Sequence, residues 1–275
     1  LPARGHIAFA LPVENRRGTA EFVASGGRLS AVGLRFSASS SAVTSFEPQS
    51  LNVIAGGPLS IPQIADGVYA DGSAAFTTSI TVVNNDVAPA RVTLKCYRQI
   101  AGDAATQPWT PAMQGGQGIE DVVIQPGSSF IWRTAGTGPL SVGWAEVISA
   151  QRVSGFAVFR QTAPEAAVAV NAGALARFLL PFDNREAVTT VALANISGSE
   201  AAVIDVTVRD EQQRVVGSAT LSLVAKGHDA FALSRFAGVA GAPGTVEFRA
   251  RSGQISAVGL RFAGEAFTSF RPQVF

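Results

Sequence analysis

Side chains able to do acid–base, nucleophilic or metal chemistry are few in this sequence, and their spacing argues against a catalytic centre. The histidines are His6 and His228, in the matching contexts Arg4-Gly5-His6 and Lys226-Gly227-His228. A histidine duplicated in one local setting reads as part of a repeated turn before a strand rather than as a general base. Cys96 is the single cysteine, so no Cys/His cluster with zinc-ligand spacing exists and no internal disulfide can form. It reads as a small apolar strand residue. Gly138-Pro139-Leu140-Ser141-Val142-Gly143 is one residue too long for a nucleophile elbow. Phosphate-binding and dinucleotide-binding glycine loops are absent from the sequence.

The carboxylates point the same way. Glu21, Glu146 and Glu247 stand at one position of an internal repeat, each beside an apolar Phe22, Val147 or Phe248. Two carboxylates do acid–base work only when they converge. These belong to separate units, and strand alternation sends each outward, with Arg35 or Arg261 on the next strand as the expected partner. Asp66-Gly67 and Asp71-Gly72 flank Tyr69 in a polar loop. Calcium takes about 6–8 oxygens, and the loop lacks the spacing that supplies them. Asn195-Ile196-Ser197 is a formal glycosylation sequon, a short pattern that also arises by chance. No catalytic residue, cofactor or metal is expected.

What must position these residues follows from composition and repeats. The chain has 275 residues, 47% hydrophobic and 15% charged, with a net charge of +1. That composition builds packed cores and carries no electrostatic footprint for nucleic acid. No apolar run reaches the ~18–20 residues of a membrane span. The opening Leu1-Pro2-Ala3-Arg4-Gly5 does not read as a natural start, so the chain is expected to be a trimmed or mature piece of something longer.

One repeat is plain. Residues 18–38, GTAEFVASGGRLSAVGLRFSA, match residues 244–264, GTVEFRARSGQISAVGLRFAG, and each is followed by Thr-Ser-Phe-x-Pro-Gln. Upstream, residues 1–11 line up with 223–233. A diverged middle copy aligns Gly143-Trp144-Ala145-Glu146-Val147 with Gly18-Thr19-Ala20-Glu21-Phe22, and Ser154-Gly155-Phe156-Ala157-Val158-Phe159 with Ser30-Ala31-Val32-Gly33-Leu34-Arg35. The front halves also match: Ile80 to Asn84 with Val191 to Asn195, each a strand running into a polar turn that begins with Asn. The expected divisions are 1–50, 51–172 and 173–275, the first being only the back half of a unit.

The strand-like segments are short, rich in Val, Ile, Thr and Phe, and punctuated by Gly, Pro, Asn and Ser. In Ala31-Val32-Gly33-Leu34-Arg35-Phe36 the large apolar residues fall on every second position, the period of a strand with one buried face. No stretch of ten residues has helical periodicity. The expected fold is all-β: tandem immunoglobulin-like antiparallel β-sandwiches with an N-terminal half-sandwich. A resemblance reinforces it. Ile61-Pro62-Gln63-Ile64-Ala65-Asp66-Gly67, Thr77-Thr78-Ser79-Ile80, Arg133 to Ala145 and Gly155-Phe156-Ala157-Val158-Phe159-Arg160 resemble a tandem repeat family of large secreted bacterial surface and extracellular proteins. That resemblance implies a structural or adhesive array at the cell surface and supplies no catalytic residues.

Two features suggest assembly. Phe22, Val32, Leu34 and Phe36, with Leu29 and Phe46, would lose their cover if the front half of the first unit is missing. In the middle unit, Trp144, Ile148 and Phe159 replace polar or smaller residues of the other copies. By repeat parity they share the outward side of a sheet, available to a second subunit or to a neighbouring unit. An insertion over 99–118 carries Trp109, which, with Tyr69, forms the candidate ligand loop: a loop tryptophan can stack on a sugar ring or tuck against its own sandwich. The sequence therefore predicts a non-catalytic fibre or surface-array subunit completed by a split sandwich, with self-association or other surface proteins as partners. The alternative is an adhesin or carbohydrate-binding module that takes a glycan.

Overall fold

The computed structural model describes residues 1–2, 4–11, 19–36, 43–46, 48, 59–100, 102–161, 165–169, 171–264 and 266–274. Among them every regular element is a strand apart from two single 3₁₀ turns, Gln114–Gly116 and Leu233–Arg235. The strand pairings between these elements are antiparallel. The fold is all-β, built of β-sandwiches.

In the first segment, β1 (Gly33–Phe36) and β2 (Val43–Phe46) form a hairpin. The middle sandwich follows: β3 (Leu59–Val68), β4 (Ala75–Asn84), β5 (Ala90–Gln99), β6 (Thr106–Trp109), β7 (Val122–Ile124), β8 (Ser129–Arg133), β9 (Ser141–Ile148), β10 (Val153–Gln161), β11 (Glu165–Ala169) and β12 (Asn171–Ala172). One layer runs β11-β10-β4 with β8 on β4, and the other runs β3-β9-β5 with β6 and β7 on β5. Strand β3 links them: its first part pairs with β9, Gly67 and Val68 pair with β4, and the register shifts between Ile61 and Ile64. Between the layers lie Ile61, Ile64, Ile80, Val82, Leu94, Trp132, Val147 and Phe159.

The last sandwich has β13 (Arg177–Asp183), β14 (Val188–Asn195), β15 (Ala202–Asp210), β16 (Val215–Leu223), β17 (His228–Ala232), β18 (Pro243–Ser252), β19 (Ile255–Ala263), β20 (Ala266–Phe270) and β21 (Gln273–Val274). Its sheets are β16-β15-β18-β13-β21 and β17-β14-β19-β20. Phe178, stacked on Phe248 with ring centroids 5.0 Å apart, and Leu180, Val191, Leu193, Ile204 and Ile255 fill the space between them.

The repeated asparagines explain why the turns recur. Asn84 and Asn195 are both fully buried. Asn84 Nδ2 donates to the carbonyls of Ala88 (2.7 Å) and Ile124 (2.9 Å), and its Oδ1 accepts from the Asp86 N–H. Asn195 Nδ2 donates to Glu200 (2.7 Å) and Val224 (3.0 Å), while Oδ1 accepts from Ser197 N–H. One side-chain amide thus satisfies the backbone groups of a turn that closes over the core, where an orphan carbonyl is costly. The sequon reading of Asn195 is corrected: its amide nitrogen is committed inside the fold, with no room for a glycan.

Cys96 is buried in β5, and burial pushes its thiol up to about 12. The folded protein is therefore expected to leave a thiol reagent unconsumed at pH 8 and to consume one equivalent after denaturation. Rapid reaction of the native protein would contradict this packing.

Candidate recognition surfaces

The first segment preserves the register of one hairpin of the repeat. In β1–β2, Gly33 faces Phe46, Leu34 faces Ser45 and Arg35 faces Thr44. In β19–β20, Gly259 faces Phe270, Leu260 faces Ser269 and Arg261 faces Thr268, at the corresponding positions. A Cβ at Gly33 would stand 2.4 Å from the Phe46 ring, and one at Gly259 would stand 2.5 Å from the Phe270 ring. Each glycine makes room for the ring opposite.

Beyond that hairpin the two copies part in strand structure and in burial: residues 19–32 form no strand, whereas their counterparts lie in β18 and β19. Phe248 is fully buried, and its counterpart Phe22 is 56% exposed; Ile255 is fully buried, and its counterpart Leu29 is 55% exposed. In the last unit these residues are covered by the front strands β13, β14 and β15. Val32, Leu34 and Phe36 are likewise exposed. Phe46 stacks on Phe156 of the middle sandwich at 5.2 Å, and Thr19 Oγ1 donates to the Gly127 carbonyl at 3.1 Å.

The middle and last sandwiches meet at a dense joint. Trp144 on β9 is fully buried and stacks on Tyr97 of β5, with centroids 4.8 Å apart. The two residues are directly opposite across the strands. Ala194 and Ile196 of the last unit close over them. The Trp144 indole N–H donates to the Lys226 carbonyl at 2.9 Å, and the Thr106 hydroxyl donates to the same carbonyl at 2.7 Å. Lys226 Nζ lies 5.4 Å from the Trp144 ring centroid and 5.7 Å from that of Tyr97, and it pairs with Glu146. Tyr97 Oη donates to the other Glu146 oxygen at 3.1 Å. Burial first, then the neighbouring Glu146 carboxylate, push the Tyr97 hydroxyl up to about 12, so it remains a donor.

His228 completes the joint. It is fully buried, with Nε2 3.1 Å from the Pro62 carbonyl at the β3 irregularity and Nδ1 3.1 Å from the Gln99 side-chain oxygen. Its backbone N–H donates to the Ala104 carbonyl. Desolvation drives the imidazole down to about 4, so it is neutral at physiological pH. Nearby, the hydroxyls of Ser60 and Ser256 bond at 2.8 Å.

This joint reassigns several expected sites. Trp144 does not offer its ring to a second subunit, because the last sandwich of the same chain covers it. Phe159 faces the middle core and stacks on Phe267 of the last unit at 5.2 Å. It does not share the outward side with Trp144. Ile148 remains exposed on β9. The parity error has a cause: β19 is buried on both faces from Ile255 to Leu260. Ile255 and Ala257 face their own core, whereas Val258 and Leu260 pack against the middle unit. By register, Val32 and Leu34 therefore occupy the inter-unit face, and the expected assignment of these residues to a sandwich core is corrected.

Glu146 pairs with Lys226 and Glu247 with Arg177, the latter at 2.7 Å, in place of the expected Arg261 partner. Tyr69 is exposed and makes an edge contact with Phe76. Trp109 is half-buried against the middle core. Asp66 is buried and accepts from Gly136 N–H at 2.8 Å, while Asp71 accepts from Ser73 N–H at 2.9 Å, so the structure does not bring the two to one ion. The insertion that carries Trp109 docks on the last unit through Ala104 and Thr106. Sequence reasoning missed Lys226, Tyr97 and Gln99. The signal for Lys226 was its match to Arg4 beside the repeated histidine.

Among the described residues no group of three or more His, Cys, Asp or Glu residues converges on a metal-sized site, and no helix is long and apolar enough to cross a membrane. No family model matches the chain, and no curated protein matches it. Among solved structures, a glycosyl hydrolase family 2 member from Bacteroides cellulosilyticus DSM 14838 aligns at 8% identity over 76% of this chain, with a TM-score of 0.15. The alignment spans 27% of that chain, and a likeness this slight carries no argument.

Proposed function

We propose that this chain is a non-catalytic structural protein of the cell exterior, a subunit of a fibre or surface array, in which residues 1–50 are the closing half of a split sandwich. The opening half is a set of front strands like β13–β15, supplied from outside the described residues. The single observation that carries this reading is the contrast between matched copies: Phe248 and Ile255 are sealed, and Phe22 and Leu29 are open. Covering Phe22 and Leu29, the two that match core residues of the last unit, at about 1.5–3 kcal/mol each is worth about 3–6 kcal/mol. That reaches the lower end of a domain's stability, so a partner that covers them is favoured.

Light scattering after size-exclusion chromatography tests it. The full chain is expected to associate as concentration rises. A chain lacking residues 1–50 is expected to stay monomeric, with the melting transition of the remaining sandwiches kept. Equal association of the truncated chain would sink the reading.

A further inference from the structure

We propose that the first segment carries a second recognition face, distinct from its open core face, that seats on a sandwich of the middle unit's type as the last unit seats on residues 59–172. The inference rests on reading residues 1–50 as the back half of a repeat.

In the last unit the seated face is made by Lys226, His228, Ser256, Val258, Leu260 and Phe267, which meet Glu146, Tyr97, Trp144, Pro62 and Ser60 or pack into the middle core. The repeat places Arg4, His6, Ser30, Val32, Leu34 and Val43 at those positions. All six are exposed. Local backbone is preserved as well as chemistry. Lys226 and Arg4 both have φ of 59°, a conformation rare for residues with a Cβ. Each sits in the same turn, closed by Gly227 N–H to the Val224 carbonyl at 2.8 Å and by Gly5 N–H to the Pro2 carbonyl at 2.9 Å.

In the last unit the turn aims the cation at an aromatic pair and a carboxylate. The middle copy carries Gly127 at the left-handed position, with φ of 68°, and Ser129 in place of the histidine, and its Gly127 carbonyl accepts from Thr19 where the Lys226 carbonyl accepts from Trp144. The cation and the imidazole thus mark the last unit and the first segment, and Tyr97, Trp144 and Glu146 mark the surface that receives such a pair. Arg4 suits such a receiver, because a guanidinium stacks on aromatic rings and forks onto a carboxylate. The occupant is accordingly a separate receiving sandwich: Trp opposite Tyr on neighbouring strands, Glu two residues after the Trp, and a free backbone carbonyl for His6. The receiver within this chain is already filled by the last unit.

Opening the internal joint tests this with the full chain. The background is Phe22→Asp with Leu29→Asp, which disables the open core face. Adding Lys226→Glu sets two carboxylates against each other at Glu146 and frees the receiver. Sedimentation is expected to show head-to-tail association at least about tenfold tighter than the background. Adding Val32→Asp and Leu34→Asp, or Arg4→Glu, is expected to abolish it. Ser256→Arg opens the joint at another contact and is expected to give the same association. Acrylamide quenching that reaches Trp144 reports opening, and near-UV circular dichroism reports folding. An opened, folded chain that remains monomeric overturns the proposal, as does association that survives Val32→Asp and Leu34→Asp. Association lost only with Phe22→Asp and Leu29→Asp would uphold the split sandwich and overturn the second face. Association indifferent to both pairs would overturn both.

Discussion

Replacing Trp144 by alanine is expected to destabilise the chain by about 3–5 kcal/mol and to divide one cooperative unfolding transition into two. The magnitude comes from the largest class of buried side chain and from what it leaves behind. Trp144 is fully buried between the sandwiches, stacked on Tyr97 and closed over by Ala194 and Ile196. Truncation leaves a cavity lined by two domains, which collapses only by letting them separate. The Lys226 carbonyl retains Thr106 as a donor, so the loss is dominated by packing and by the ring beneath the Lys226 ammonium. Trp144→Phe keeps an aromatic face and loses the indole N–H, and is expected to cost only about 1–2 kcal/mol. Urea titrations followed by far-UV circular dichroism, fitted for one or two transitions, measure both. An alanine variant with an unchanged midpoint would mean that the joint does not hold the sandwiches together.

Acid is expected to weaken the same joint in a window set by His228. Its imidazole is held at about 4 in the folded chain against an unfolded value near 6.5. Above pH 6.5 both states are neutral and the joint has its full stability. As pH falls from 6.5 towards 4, the unfolded chain binds a proton that the folded chain refuses, so stability declines. Below about 4 both states are protonated and this decline stops. The interval is worth roughly 3 kcal/mol. The groups around the ring are the Pro62 carbonyl, the Gln99 amide and the Ala104 carbonyl at its backbone, with Lys226 and Glu146 on the adjoining turn and strand. Carboxylates held low by arginines, such as Asp183 beside Arg185 and Glu247 beside Arg177, add their own loss from the usual carboxylate range downward. His228→Gln is expected to flatten the slope between pH 6.5 and 4 and leave the lower part intact. A wild-type melting temperature constant over that interval would contradict the assignment.

The sequence by itself determined the class and the repeat. Alternation in Val32-Gly33-Leu34-Arg35-Phe36, the glycine turns and the matched Thr-Ser-Phe motifs dictated strands, hairpins and their equivalence, because those are local properties of chain stiffness and pleat. The structure gives the matched copies one register, with Gly33 opposite Phe46 and Gly259 opposite Phe270. The repeat also marked His6 and His228 as one structural position. What only the tertiary structure decided was which side of a strand is the inside. A period of two divides residues into two faces and names neither, and β19 is covered on both. Val258 and Leu260 face a neighbour, while Ile255 and Ala257 face their own core, a distinction made by contacts distant in sequence. Trp144 was legible as unusual for its position, but its burial depends on Ala194, Ile196 and the Lys226 turn, whose approach no local pattern encodes.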